Sequence, residues 1–289
     1  MKHLKAIFTS LILLSNILSA FSQDEVIKLW DNPKDHRMER PELRLFFPPD
    51  SIRTSLCILV CPGGSYHHLG LTNEGSEVAE TLNEWGITVA VLRYRVSMRG
   101  NHHPAMIEDF QRAMQILQAK KESWKLTVIG CMGFSAGGHL VLMGGEFSST
   151  NYLAGKPEDI HLNVRPDFVC PIYPVVSMKD SIVHVKSRIN LLTKDYTTQE
   201  IEQFSMEENL PDNMPPVFLL ACKDDDVVDY RNSEVLSQAL QSKSIPYEYH
   251  LLPAGGHGFG TKRGKTEYTK TWPSLLKKWL LNNNFLYEK

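Results

Sequence analysis

Apolar residues fall along this chain in two patterns. Short, nearly continuous runs come first: EVIKLW at 25–30, ELRLFF at 42–47 and LCILVC at 56–61 have the length and side-chain types of strands. Beyond them, helix-like and strand-like segments alternate. NEGSEVAETLNEWG (73–86) has helical spacing and stops at Gly86, ITVAVLRY (87–94) reads as a strand, residues 104–124 read as a long helix opened by Pro104, and KLTVIGC (125–131) as a strand. GGHLVLMGGEF (137–147) follows as a helix, PDFVCPIYP (166–174) and PVFLLACK (216–223) as strands, DYRNSEVLSQALQSK (229–243) as a helix, PYEYHLLP (246–253) as a strand and WPSLLKKWLL (272–281) as a closing helix. This order predicts an α/β fold, with a mostly parallel central sheet, helices on both faces and an antiparallel N-terminal edge. The least regular stretch, about 144–216, is expected to hold an insertion over the functional site.

The first 22 residues carry a different pattern. Lys2 and Lys5 precede an apolar run from Ala6 to Leu18, and small residues stand at Ala20 and Ser22, the layout of a secretory signal peptide. A membrane anchor is the alternative, but Thr9, Ser10, Ser15 and Asn16 interrupt a run already short for a span. The expected protein is therefore exported, periplasmic or extracellular, with no stable membrane span and one domain over 23–289. Oligomeric state is not legible in the sequence.

Composition narrows the partners. Of 289 residues, 42% are hydrophobic and 22% charged, as in a globular domain, and 31 basic residues against 33 acidic ones leave a formal charge of −2. Without a basic block there is no electrostatic grip for nucleic acid, so a neutral or mildly charged ligand is expected. Cys57, Cys61, Cys131, Cys170 and Cys222 all lie in or beside apolar runs, and read as small buried hydrophobes more readily than as disulfide partners. No metal-ligand spacing occurs, and neither a metal nor another cofactor is expected.

Chemistry enters at GFSAGGHL, residues 133–140. Ser135 stands in G-x-S-x-G directly after a strand and before a helix, where a sharp turn exposes the hydroxyl at the carboxyl edge of the sheet. A serine needs a base, and the base needs an orienting group. His257, in PAGGHGFG after the strand 246–253, can supply the first, and the acidic cluster Asp224, Asp225 and Asp226 after the strand 216–223 can supply the second. Strand alternation separates Asp225 from its two neighbours. VCPGGSY at 60–66 places glycine-rich backbone at another strand end, so amides of the Gly64–Ser65 region and Ala136 are candidate oxyanion donors, with Tyr66 as a candidate substrate-binding wall. His139 reads as a packed helix residue. His67, His68, His102 and His103 could line the pocket or cap turns, and Asp109 and Arg112 read as surface or supporting charges.

Taken together, CPGGSY, GITVAVLRYR, HPAMIEDFQRAM, MGFSAGGHL, RPDFVCPIYPVVSM, PPVFLLACKDDDVV and GGHGFG resemble α/β-hydrolase fold serine esterases. The likeness is to secreted carbohydrate esterases related to acetyl xylan esterases and to bifunctional acetyl xylan/feruloyl esterases. That resemblance implies a Ser135, Asp225 and His257 triad acting on acetylated plant polysaccharide. Two positions depart from the pattern: Asp229 stands where the D-x-x-V-P motif has proline, and Ser65 where a third glycine is usual. A feruloyl or other small-ester esterase, a peptidase and a non-catalytic carbohydrate-binding module are the alternatives.

Overall fold

The computed structural model describes residues 25–31, 40–159 and 163–287. The segment 1–22, read above as an export signal, lies outside them. One eight-stranded sheet runs through the molecule in the order β1-β2-β4-β3-β5-β6-β7-β8. Its strands are β1 (Glu25–Lys28), β2 (Glu42–Phe46), β3 (Leu56–Cys61), β4 (Thr88–Arg93), β5 (Val128–Phe134), β6 (Val169–Ile172), β7 (Val217–Cys222) and β8 (Tyr247–Leu252). The β1–β2 and β2–β4 pairs are antiparallel and every later pair is parallel, which bears out the α/β reading and its antiparallel edge.

Side-chain alternation divides the core into two layers. In β3, Cys57, Leu59 and Cys61 face one side, under helices α2 (Ala105–Lys120), α3 (Ala136–Glu146) and α6 (Arg231–Ser242). Leu56, Ile58 and Val60 face the other, under α1 (Glu77–Asn83) and α7 (Glu267–Asn282). A strand buried on both faces must be apolar at every position, which is why LCILVC does not alternate. All five cysteines are buried and unpaired. Among the described residues, no helix is long and apolar enough to cross a membrane.

Several elements differ from the sequence reading for identifiable reasons. The closing helix starts a turn before Trp272 because Thr266 and Thr269 form a reciprocal cap at its N-terminus. The stretch from 144 to 216 contains two further short helices, α4 (Val185–Leu192) and α5 (Thr198–Gln203), the latter capped by Thr197 with Glu200. Of the two readings of Asp109, surface or supporting charge, the structure takes the second. Asp109 is fully buried, receives the Trp30 indole N–H at 2.8 Å and the Arg95 backbone N–H at 2.8 Å, and is gripped by the Arg95 guanidinium. That ion pair ties the end of β4 to α2.

Glu146, at the end of α3, is buried with neither carboxylate oxygen hydrogen-bonded. Burial, reinforced by Glu207 and opposed by Lys243, pushes its carboxyl from 4.5 up to about 9. The unfolded chain therefore releases this proton at a lower pH than the folded one, and stability declines as pH rises between those two values. The slope is at most about 1.4 kcal/mol per pH unit from this group. Glu146→Gln is expected to flatten the decline and to raise the unfolding free energy at pH 8 by several kcal/mol, with little change at pH 4.5. Urea melts at the two pH values check this.

Candidate active site

Four loops leave the carboxyl ends of β3, β5, β7 and β8 and meet above the sheet. The turn after β5 is the tightest. Ser135 adopts φ 54° and ψ −119°, and its neighbours show why glycine flanks it. A Cβ at Gly133 would lie 2.0 Å from the Gly137 carbonyl oxygen, and one at Gly137 would lie 2.1 Å from that of Cys61. The Ser135 N–H donates to Ile172 O at 3.0 Å, and its carbonyl accepts from His139 and Val175. The strained backbone is thus held on both sides, and the hydroxyl projects over the N-terminus of α3.

His257 lies between Ser135 and Asp225. Its Nε2 is 2.9 Å from Ser135 Oγ and its Nδ1 is 2.6 Å from Asp225 Oδ2. The Asp225 side chain is almost wholly buried, and its other oxygen accepts the N–H groups of Val227 and Val228, both at 2.9 Å. An ionised carboxylate only accepts, so a neutral His257 carries its proton on Nδ1 and presents a lone pair on Nε2 to the Ser135 hydroxyl. The arrangement can take the serine proton and stabilise the resulting imidazolium.

The other two acids of the cluster do different things. Asp224 Oδ1 accepts the N–H groups of Gly255 and Gly256 at 2.8 and 2.9 Å, which fixes the loop that carries His257. Asp226 points to solvent. Asp229, in the place of the motif's proline, is bound by the Arg231 guanidinium and accepts the Arg231 N–H at 2.9 Å. Those hydrogen bonds hold its carboxyl below the ordinary carboxylate value, so the extra charge is neutralised at the start of α6.

The loop after β3 turns through positive φ at Gly64 (133°), Ser65 (58°) and Tyr66 (57°). A Cβ at Gly64 would meet His68 O at 2.1 Å, so glycine is required there, whereas Ser65 takes up the left-handed conformation in spite of its side chain. Asn190 Nδ2, from α4, donates to Ser65 O at 2.8 Å and fixes that peptide. The insertion expected over the site therefore reaches the loop that carries the candidate oxyanion donors Gly64 and Ser65. The third, Ala136, opens α3, where the first-turn N–H groups have no carbonyl four residues back.

Tyr66 is a correction. It does not line a pocket: its side chain is wholly buried, and its hydroxyl is 2.9 Å from His139 Nδ1. Positive φ turns the ring under the loop, into the core. His139 is the packed helix residue expected, with its Nε2 2.8 Å from Phe204 O and burial lowering it to about 4. His103 is a packing residue too, lowered to about 4 by burial, with its ring 4.5 Å from that of Phe204. His184, missed in the sequence, is half-buried beside the site; burial lowers it, aided by the charges of His257 and Lys186 and opposed by Asp225.

Residues 43–240 match the BD-FAE family model. The chain belongs to the BD-FAE family of α/β-hydrolase esterases. It is 32% identical over 225 residues to an endo-1,4-beta-xylanase B of Butyrivibrio fibrisolvens, covering 75% of this chain and 34% of that protein. It is 31% identical over 209 residues to an acetylxylan esterase of Xylanibacter ruminicola, covering 70% of this chain and 41% of that protein. The chain thus spans well under half the length of either relative. Among solved structures, an acetyl ester-xyloside bifunctional hydrolase from Caldicellulosiruptor lactoaceticus superposes with a TM-score of 0.84 at 30% identity, over 93% of this chain and all of that one.

Proposed function

We propose that this BD-FAE chain is an exported serine esterase that removes acetyl groups from sugar hydroxyls of xylan or its oligosaccharides, with residues 1–22 as the export signal. The observation that carries the reading is the unbroken relay from Ser135 Oγ through His257 to Asp225, at 2.9 and 2.6 Å. The names of the similar proteins, an acetylxylan esterase and an acetyl ester-xyloside hydrolase, support the substrate class.

In this mechanism His257 Nε2 accepts the hydroxyl proton as Ser135 Oγ attacks the ester carbonyl, and Asp225 stabilises the imidazolium. The amides of Ser65 and Ala136 donate to the oxyanion, each such donor contributing about 2.7–4 kcal/mol to transition-state stabilisation. His257 then returns the proton to the departing sugar oxygen. Water repeats the attack on the acyl-serine, releasing acetate and regenerating the hydroxyl.

Acetate release from acetylated xylo-oligosaccharides, with a feruloylated oligosaccharide and 4-nitrophenyl acetate run beside it, tests the reading. Preferential acetate release from the sugar is the expected result. Cleavage of the activated ester alone would overturn the substrate class, and preferential feruloyl release would overturn the acyl group. N-terminal sequencing of the mature secreted protein, expected to begin near residue 23, tests export.

A further inference from the structure

The turn between the oxyanion loop and α1 contains a buried carboxylate that the relay does not use. Glu74 lies in a single wide turn, Thr72–Ser76, which rotates it beneath the site. Its Oε2 accepts the Gly63 N–H at 2.8 Å, one residue before the oxyanion loop begins. Its Oε1 accepts the Tyr173 hydroxyl at 2.8 Å, and that hydroxyl in turn accepts the Gly260 N–H at 3.1 Å, three residues past His257. The Tyr173 ring lies against the imidazole, with centroids 4.7 Å apart. Next to Glu74, Asn73 Nδ2 donates to Gly258 O at 2.7 Å.

We infer that Glu74 is a positioning residue for acyl transfer: its carboxylate joins the loop that carries the oxyanion donors to the loop that carries His257, and places a negative charge behind the imidazole. The inference rests on the esterase reading of Ser135. Three observations carry it. First, both Glu74 oxygens accept, from the Gly63 N–H and the Tyr173 hydroxyl, and these two bonds with the charge of His257 favour the carboxylate against the upward shift that burial imposes on it. Second, the fit is close: a Cβ at Gly63 would lie 2.7 Å from Glu74 Oε2 and 2.9 Å from the Ser135 Cβ, so carboxylate, loop and nucleophile share one contact. Third, the groups that face this carboxylate are His257, Tyr173 and Tyr94. Burial raises both phenols well above their ordinary range, so His257 is the neighbour that changes charge during turnover.

Glutamine at 74 cannot reproduce the arrangement. Its single oxygen can accept from Gly63 or from Tyr173, and its NH2 then confronts the other donor. The charge behind the imidazole is also lost, which disfavours the imidazolium that forms in the transition state. In Glu74→Gln, kcat per active site is expected to fall about 10–100-fold with KM within about 2-fold, as when an interaction made mainly in the transition state is removed. The acidic limb of the kcat profile is expected to move to lower pH by about half a unit.

The experiment measures kcat, KM and the pH profile of wild type and Glu74→Gln on 4-nitrophenyl acetate, with active serine counted by a fluorophosphonate. A purely structural Glu74 would lower the number of titrated sites and the melting temperature, while kcat per site and the acidic limb stayed at wild-type values; that outcome overturns the inference. Should Glu74→Gln fail to fold, Tyr173→Phe keeps the ring against His257 and removes only the hydroxyl bridge. It is expected to lower kcat about 10-fold at unchanged KM, and an unchanged kcat would overturn the inference. A wild type that neither cleaves the ester nor reacts with the phosphonate overturns the esterase reading and this inference with it. An active wild type alongside an unaltered Glu74→Gln overturns this inference alone.

Discussion

Ser135→Ala is expected to lower kcat for ester hydrolysis by about 10⁴-fold or more, the scale seen when a nucleophile is removed from a serine hydrolase site. The substitution removes one oxygen and leaves the turn alone. The Ser135 N–H bond to Ile172 O and the carbonyl's two acceptances are made by backbone, so alanine inherits them together with the φ of 54°. Alanine tolerates that backbone no worse than serine does, and the melting temperature should stay within about 3 °C of wild type. Loss of activity without loss of fold is what separates a nucleophile from a structural serine. Steady-state kinetics with a thermal melt on the same preparation checks both halves. A variant that retains more than about a tenth of wild-type kcat would exclude Ser135 as the nucleophile, whereas a carbohydrate-binding module would keep its affinity for the polysaccharide in either protein.

How much of this site the sequence discloses depends on whether backbone or tertiary packing decides a residue's place. Gly133 and Gly137 are legible because the turn itself forbids a side chain at both positions, and a G-x-S-x-G after an apolar run states that requirement locally. The sheet is legible for a similar reason: β3 must be apolar throughout to be covered on both faces. Tyr66 misleads because an aromatic after glycines looks as though it faces a pocket, and only its positive φ sends the ring down to His139. Asp109 is half legible. A charge in a helix reads as solvated or supporting, and nothing near it in sequence discloses that Arg95 and Trp30 converge on it. Glu74 sits in NEGSEVAETLNEWG, which carries a helical pattern; the wide turn at Thr72–Ser76 breaks that spacing and turns the carboxylate inward. Helices α4 and α5 are short, and the place of α4 beside the oxyanion loop follows from a long-range contact, Asn190 to Ser65.

The acidic cluster gives the second large prediction, because three adjacent aspartates have separable duties. Asp225→Asn is expected to lower kcat by about 10³–10⁴-fold. An amide at that position can turn its NH2 toward Nδ1, which places the imidazole proton on Nε2 and removes the lone pair that should accept from Ser135. Asp224→Asn should behave differently. Its surviving carbonyl oxygen can still accept from Gly255 and Gly256, as Oδ1 of Asp224 does, so the loss should stay below about 10-fold. Asp226→Asn, at an exposed position, should change kcat less still. Kinetics of the three single variants on one substrate check the ranking. If Asp224→Asn matched the loss in Asp225→Asn, the orienting acid would be misassigned. If all three were mild, the 2.6 Å contact between Asp225 and His257 would have no catalytic weight.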